Sequence, residues 1–563
     1  MLKQAKSFLK SLPFTDRVNL AFKQWQVRGL PDFSSPESVN RWLLRRTQME
    51  APSIPFSTEV THHQRLARWL VDLHQTTAQT RPELKGRRIL VTALHNRTWI
   101  WYCMPIAMAL AGRGATVDFA WAQFTDYLGE MPGNEYAVSA TSIEEIALPV
   151  HPRLRFIPFN QLPKAETTAE YRMIAEKYGY RDTCHITARE TCSPESNPEH
   201  ARIARIRTAR NLEALGRYAR LLDEGNYDWA ILPNGAIYEY GACYDLAKSQ
   251  GVGCSAFDCH ERTNVINVGD RQPCVYWDMT TFWEADGNHD LPPERLKRVT
   301  ELLMRREQPN WAAQGDFVWH GQLAAVQPIP ELLEKLSLSA EKPTALLCTN
   351  LAWDSAVLGR QRTFKSMIEW IIESIRWFGE HPEFQLIVRV HPVEKSVRTN
   401  EPVVATVGEQ LPNLPSNVRL VDANEKVNTY GLMRLAHCGL AYTSTVGLEM
   451  ATRGLPVVVA GKTHYAEHGF TIEEPDPESY FRRLGQLLAP KTPFRLTADE
   501  VRLAVCYADL FFEKMPRPFP WWNLNLNETF ADHYPLAKLL TGDGPPEYLD
   551  TLDLFAGLPP QAR

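Results

Sequence analysis

The stretch from Cys438 to Thr471, CGLAYTSTVGLEMATRGLPVVVAGKTHYAEHGFT, constrains the fold more than any other. It reads as a buried strand (Gly439 to Tyr442), a hydroxyl-rich turn (Thr443, Ser444, Thr445), a short helix closed near Gly454, and a second strand, Pro456 to Ala460. Such a unit belongs to a parallel sheet. It places backbone N–H groups and small hydroxyls just past the carboxyl end of a strand, where anions bind. Gly461-Lys462-Thr463 has the ending of a nucleoside-triphosphate P-loop, but the first glycine of that motif would fall on Pro456, inside a strand. An NTPase is therefore a poor reading.

Strands alternate with helices on both sides of this unit. From Gly86, the strand Ile89 to Leu94, the turn His95 to Thr98, a helix through Ala111 and the strand Thr116 to Trp121 form a β-α-β opening. The same rhythm continues with Leu154 to Phe159, a charged helix around Glu199 to Leu222, the strand Trp229 to Pro233, a helix Ile237 to Gln250 and the strand Val252 to Phe257. A second cycle follows the proline- and charge-rich stretch around Pro328 to Pro343. Its elements are the strand Ala345 to Thr349, an amphipathic helix Phe364 to Phe378, the strands Gln385 to Val390 and Val418 to Val421, and the helix Thr429 to Ala436. The expected class is α/β: two Rossmann-like domains facing across a cleft, since 563 residues exceed one ordinary core. The expected divisions are a helical N-terminal extension (1–85), an N-terminal Rossmann-like acceptor domain (86–335), a C-terminal Rossmann-like donor domain (336–498), and cross-over helices with a tail (499–563) that brace the hinge.

Composition excludes several classes of partner. A net charge of -5 leaves no electrostatic footprint for nucleic acid. Ten cysteines lie scattered without a C-x-x-C pair, which fits reduced core thiols, a cytoplasmic setting and no metal site. The start MLKQAKSFLKSLPF lacks the apolar run of a secretory signal. Its alternation of lysines with leucine and phenylalanine suits either a helix packed on its own protein or peripheral association with an anionic inner-membrane surface.

Three motifs carry a family resemblance: TNLAWDSA at Thr349 to Ala356, LIVRVHPVE at Leu386 to Glu394, and YTSTVGLEMATRGLPVVVAGKTHYAEHGFT at Tyr442 to Thr471. In these the sequence resembles the bacterial capsule and surface-polysaccharide biosynthesis family, glycosyltransferases of the GT-B architecture similar to Kdo transferases and HP-motif sialyltransferases. The N-terminal half matches in outline, through LPNGAIYEYG and DCHERTN. The resemblance implies a nucleotide-sugar donor, CMP- or UDP-linked, as co-substrate without a separate cofactor. It implies a saccharide or lipid-linked saccharide as acceptor.

The residues can be set beside that chemistry. Glycosyl transfer leaves negative charge on a departing phosphate, and no two aspartates stand in the D-x-D spacing that would hold a metal there. Ser444, Thr445 and the local N–H groups can supply donors instead. His391 ends a strand before Pro392. The resemblance makes it a leaving-group stabiliser or proton donor, while its plain alternative is a histidine bonded to backbone. Arg389 shares its face and can add charge, or pair with Glu394. Glu449, one turn after Thr445, is assigned by the resemblance to the ribose; a first-turn carboxylate is also favoured there by the helix dipole. Asn350, Trp353 and Asp354 can meet the base or donor sugar, although Trp353 can equally cap the core. Lys462, His464 and Tyr465 fall to the donor by resemblance. A catalytic base is expected across the cleft, with Glu261 foremost and Asp258, His260 and His95 as rivals; Asn234 lines the same side. Two other functions share these features: a nonhydrolysing UDP-sugar 2-epimerase, and a non-catalytic nucleotide-sugar-binding scaffold of the same pathway.

Overall fold

The computed structural model describes residues 84–94, 97–121, 152–159, 162–260, 262, 265–287, 289–309, 322, 324–490, 492–519 and 546–558. The N-terminal extension up to residue 83 and most of the aromatic tail segment lie outside them. In the first half the elements run β1 (Arg88–Ala93), α1 (Arg97–Gly112), β2 (Thr116–Trp121), β3 (Leu154–Pro158), α2 (Ala169–Thr187), α3 (Pro198–Gly225), β4 (Trp229–Pro233), α4 (Tyr238–Ser249), β5 (Gly253–Cys259), β6 (Val265–Asp270), α5 (Thr280–Asp286) and α6 (Pro293–Arg306). The second half runs α7 (Ile329–Lys335), β7 (Thr344–Cys348), α8 (Met367–Glu380), β8 (Gln385–Arg389), α9 (Val403–Gln410), β9 (Val418–Val421), α10 (Thr429–Leu435), β10 (Cys438–Ala441), α11 (Val446–Ala451), β11 (Val457–Val459), β12 (Ile472–Glu473) and α12 (Pro477–Leu488). Then come α13 (Ala498–Asp509), a π-helical turn (Leu510–Lys514), β13 (Arg517–Pro518) and α14 (Pro546–Phe555).

The two sheets confirm a two-domain α/β architecture. The second is wholly parallel, in the order β12-β11-β10-β7-β8-β9. The first, β13-β6-β5-β4-β1-β2-β3, is parallel through β5, after which β6 and β13 close its edge antiparallel. VINVGD at β6 and helices α2, α6, α9 and α12 are absent from the sequence reading. β6 follows β5 as a hairpin partner, and α6 is a short charged helix whose apolar face holds only a few residues: Val299, Leu302 and Leu303.

Burial follows the patterns that made the strands legible. Along β7 and β8 every residue is buried, as expected for strands covered by helices on both faces. The helix read as starting at Phe364 starts at Met367, because Ser366 accepts the Glu369 N–H and caps it. Its buried stripe is wider by Trp370. Each of its isoleucines, removed from water, stabilises the domain by about 1.5–3 kcal/mol.

The chain crosses between domains more than once. Val299, Leu302 and Leu303 of α6 enter the core under the second sheet, and so do Cys506, Tyr507 and Phe511. The last described elements return: β13 pairs with β6, and Leu552, Leu554 and Phe555 of α14 pack on the first sheet. Arg295 of α6 bonds Asp509 of α13, tying the two crossing helices together.

Candidate functional site

In the second sheet the strand order reverses between β7 and β10. Loops leaving their carboxyl ends therefore diverge and open a crevice, the usual place for a ligand in such a sheet. The loop after β7 brings Asn350, Asp354 and Ser355; the turn after β10 brings Thr443, Ser444 and Thr445; His391 stands just past β8. The first domain supplies the opposite wall with Asp258, His260, Asn267 and Trp277. Arg306, at the end of α6, and Phe511 and Phe512 of the π-helical turn complete a cavity of about 410 Å³. That volume is in the range of small-molecule sites.

Hydrogen bonds orient the polar groups. The Val393 N–H donates to His391 Nδ1 at 3.3 Å, so a neutral His391 ring carries its proton on Nε2. The His391 N–H in turn donates to Thr349 Oγ1 at 3.0 Å. His260 is held alike, its Nδ1 accepting from the Arg262 N–H at 2.9 Å. Asp258 accepts from Asn234 Nδ2 at 2.7 Å and from the Cys259 N–H at 2.8 Å; loss of solvent pushes its carboxyl above the usual aspartate range. Desolvation does the same to Asp354.

Arg306 donates Nε to Glu449 Oε1 at 3.0 Å, and the Tyr430 hydroxyl donates to the other carboxylate oxygen. Glu449 is thus buried, holding the arginine that faces the cavity, and unlike Asp258 it is not among the residues that line the cavity, which departs from the ribose contact implied by the resemblance. Arg389 departs from its expectation too. Its guanidinium turns to the carbonyls of Asp422 and Val427, at 2.6 and 3.3 Å, and the positive charge of the cavity comes from Arg306 instead. Glu394, the other expected partner of Arg389, accepts the Val403 N–H.

Other expected residues stand apart from the cavity. Trp353 packs edge-on against His185 of α2, ring centroids 5.4 Å apart, and so joins the domains; it is not among the residues that line the cavity. Tyr465 is fully buried and donates its hydroxyl to the Ser444 carbonyl at 2.6 Å, bracing the hydroxyl turn from behind. Lys462 and His464 line a second groove. Asn234, with a left-handed φ of 55°, acts on the cavity through Asp258. Glu261 and His95 lie outside the described residues. Arg306, Asn267, Trp277 and Phe511 were not singled out by sequence reasoning: each comes from a segment without a motif.

Three polar atoms on residues lining the cavity are buried and, among the described residues, have no partner: Thr443 Oγ1, Asn267 Oδ1 and Trp277 Nε1. An unmade bond at a buried donor or acceptor costs about 1–3 kcal/mol. Among the described residues, no helix is long and apolar enough to cross a membrane.

Residues 329–483 match the sequence model of a family described as capsule polysaccharide biosynthesis protein. All three motifs of the resemblance fall inside this segment. No curated protein matches the sequence. Among solved structures, similarity extends to the beta Kdo 2,4 transferase KpsC of Thermosulfurimonas dismutans, at 14% identity over 50% of this chain and 79% of that one, with a TM-score of 0.30. UDP-GlcNAc 2-epimerase from Neisseria meningitidis shares 11% identity over 76% of this chain and 99% of its own, with a TM-score of 0.24. Sucrose-phosphate synthase from Thermosynechococcus elongatus shares 11% over 76% and 98%, with a TM-score of 0.26. At such scores the architecture rests on the strand order itself.

Proposed function

We propose that this chain is a metal-independent glycosyltransferase that moves a sugar from a CMP- or UDP-linked donor to a saccharide or lipid-linked saccharide acceptor of a capsular or surface polysaccharide. One observation carries the reading. His391, Arg306 and the Ser444 and Thr445 hydroxyls meet in a single cavity at the switch point of a parallel sheet, within or against the segment that matches the capsule family. A histidine, a guanidinium and two hydroxyls together suit a phosphate whose charge grows as the glycosidic bond breaks.

In this reading the Ser444 and Thr445 hydroxyls hold the phosphate oxygens, Arg306 neutralises the developing charge, and His391 donates through Nε2–H. Asp258 faces them from the other domain. Its carboxylate takes the proton of the attacking acceptor hydroxyl while that oxygen bonds the anomeric carbon and the nucleotide leaves. The balanced product pair is a glycoside and a free nucleotide.

A thermal-shift series with CMP, UDP, GDP and CDP tests the donor class. A nucleotide at a hundred times its Kd stabilises the native state by about 2.7 kcal/mol, with the shift unchanged by a chelator. No shift with any of the four sinks the reading. Arg306→Gln should remove most of that shift and lower turnover by about 10²-fold or more, because among the described residues no other arginine or lysine lines the cavity. An unchanged turnover in that variant would place the phosphate elsewhere.

A further inference from the structure

Helix α2 ends in a reversal that folds the chain back over its last turn. Ala188, with a left-handed φ of 52°, sends its N–H to the Cys184 and His185 carbonyls, and the Arg189 N–H also returns to the Cys184 carbonyl. The Cys192 N–H then reaches the Tyr180 hydroxyl at 3.3 Å, one turn before Cys184. Two thiols that are separated in sequence are thereby brought together. Cys184 and Cys192 are hydrogen-bonded to each other and share a buried cluster with Leu358 of the second domain. Cys192 Sγ also lies 3.4 Å from Thr187 Oγ1.

The residues between the two cysteines are the ones that grip the second domain. The Thr187 carbonyl accepts from Asn400 Nδ2 at 2.8 Å, and the Ala188 carbonyl accepts from the Asn400 N–H at 3.0 Å. Arg189 stands 3.9 Å from the Glu401 carboxylate, which accepts the Glu190 N–H at 2.8 Å. Glu190 in turn accepts the N–H groups of Met367 and Ile368. A bond between the two sulfurs closes a ring around this whole clasp.

The two thiols are unlike. Cys184 is fully buried, whereas Cys192 sits between the exposed Thr191 and Ser193. Their shared hydrogen bond holds Cys192 below the usual thiol range and raises Cys184, so the thiolate character falls on Cys192. Burial pushes the other eight cysteines up. A thiolate near solvent beside a second, resolving thiol is the arrangement of a redox pair.

We propose that Cys184 and Cys192 are a reversible redox pair, whose oxidation by a hydroperoxide to a disulfide locks the segment that clasps the second domain. The Cys192 thiolate attacks one peroxide oxygen, the O–O bond breaks, and a sulfenic acid forms while the other oxygen leaves and takes up a proton. The Cys184 sulfur then displaces hydroxide from the sulfenic sulfur, and its own proton leaves with that hydroxide as water. Two thiols lose two electrons and one peroxide gains them. A dithiol reverses the change by exchange. None of this depends on the transferase reading.

Peptide mapping of the full chain tests the pair. Trypsin cuts after Arg181, Arg189 and Arg202, so each cysteine falls on its own peptide, 182–189 or 190–202, and a disulfide joins the two. The reduced protein is treated with hydrogen peroxide in steps, and the remaining thiols are blocked with N-ethylmaleimide before digestion. The joined peptide is expected to appear before any of the other eight cysteines is modified, and to vanish on treatment with dithiothreitol. Hydrogen exchange reads the clasp: oxidation should slow the Met367 and Ile368 amides about fivefold, because the ring restricts opening of the segment that holds them. In Cys192→Ala, peroxide should leave that exchange unchanged. The mapping and the exchange in the wild type are decisive even if the variant fails to fold. The proposal is overturned if the two peptides stay separate, if either is joined to another cysteine instead, or if they join without slowing the two amides.

Discussion

Replacing His391 by asparagine is expected to lower turnover about 10²- to 10⁴-fold while the melting temperature stays within about 2 °C of the wild type. The choice of asparagine matters. His391 caps the short helical turn Pro392–Lys395 by accepting the Val393 N–H, and asparagine is among the best residues for that task. What asparagine cannot do is carry an N–H donor to the position of Nε2, where the reading places the leaving phosphate. A rate-and-melting comparison of the two proteins, with a nucleotide sugar and an accepting glycoside, therefore separates the chemical role from the structural one. If turnover falls less than about tenfold, the histidine is a capping residue and the proton donor lies elsewhere. If turnover and stability fall together, the cap was the larger contribution and the loss does not speak for catalysis.

The contrast between His391 and Arg389 shows how much of the site was legible in the sequence. Strand alternation puts the two on one side of the chain, and a proline after the histidine ends the strand, so the position of both backbones followed from pattern alone. Direction of a long side chain does not follow from pattern. Arg389 finds two carbonyls in the loop after β9, and those acceptors exist only once β8 and β9 have paired. Glu449 is similar: its place one turn after Thr445 was readable, but its partner Arg306 comes from a helix over a hundred residues earlier. Local chemistry located the hydroxyl turn, and long-range packing decided which charges stand near it.

The same distinction runs through the fold. Strands buried on both faces announce themselves as continuous apolar runs, which is why β1, β2 and β4 were read within a residue or so of their observed bounds. Helix α2 gave no such signal. It buries Arg181, Asp182 and Thr183 along with its apolar residues, and so its sequence looks solvated. Those polar groups are satisfied only in three dimensions. Asp182 accepts from Arg207 and Asn211 of α3 and from the Tyr238 N–H at the start of α4. Arg207 also reaches Glu239 at 2.8 Å. A fully buried network of this kind ties three helices on one face of the first sheet, and removing one member would leave its partners uncompensated.

Glu190→Ala is expected to cause the largest loss of stability among single changes at the domain interface, about 2–5 kcal/mol. Glu190 follows α2 in the first domain, yet its carboxylate accepts the N–H groups of Met367 and Ile368, the first two residues of α8 in the second. Those N–H groups have no acceptor within their own helix, so a carboxylate brought from the other domain satisfies them and complements the helix dipole. Alanine leaves both buried and unpaired. Glutamine keeps one acceptor oxygen and should fall between alanine and the wild type. The pH dependence is a further check, because burial pushes the Glu190 carboxyl up, to about 7. A group whose pKa is raised on folding contributes stability that is fully present below its unfolded pKa and is lost as pH rises through the folded one. The advantage of the wild type over Glu190→Gln should thus be larger at pH 5 than at pH 8, measured by denaturant unfolding at each pH. An advantage that grows with pH would mean that the carboxylate is held by the helix N-terminus more strongly than burial opposes it, and that the domains dock through an ionised clasp.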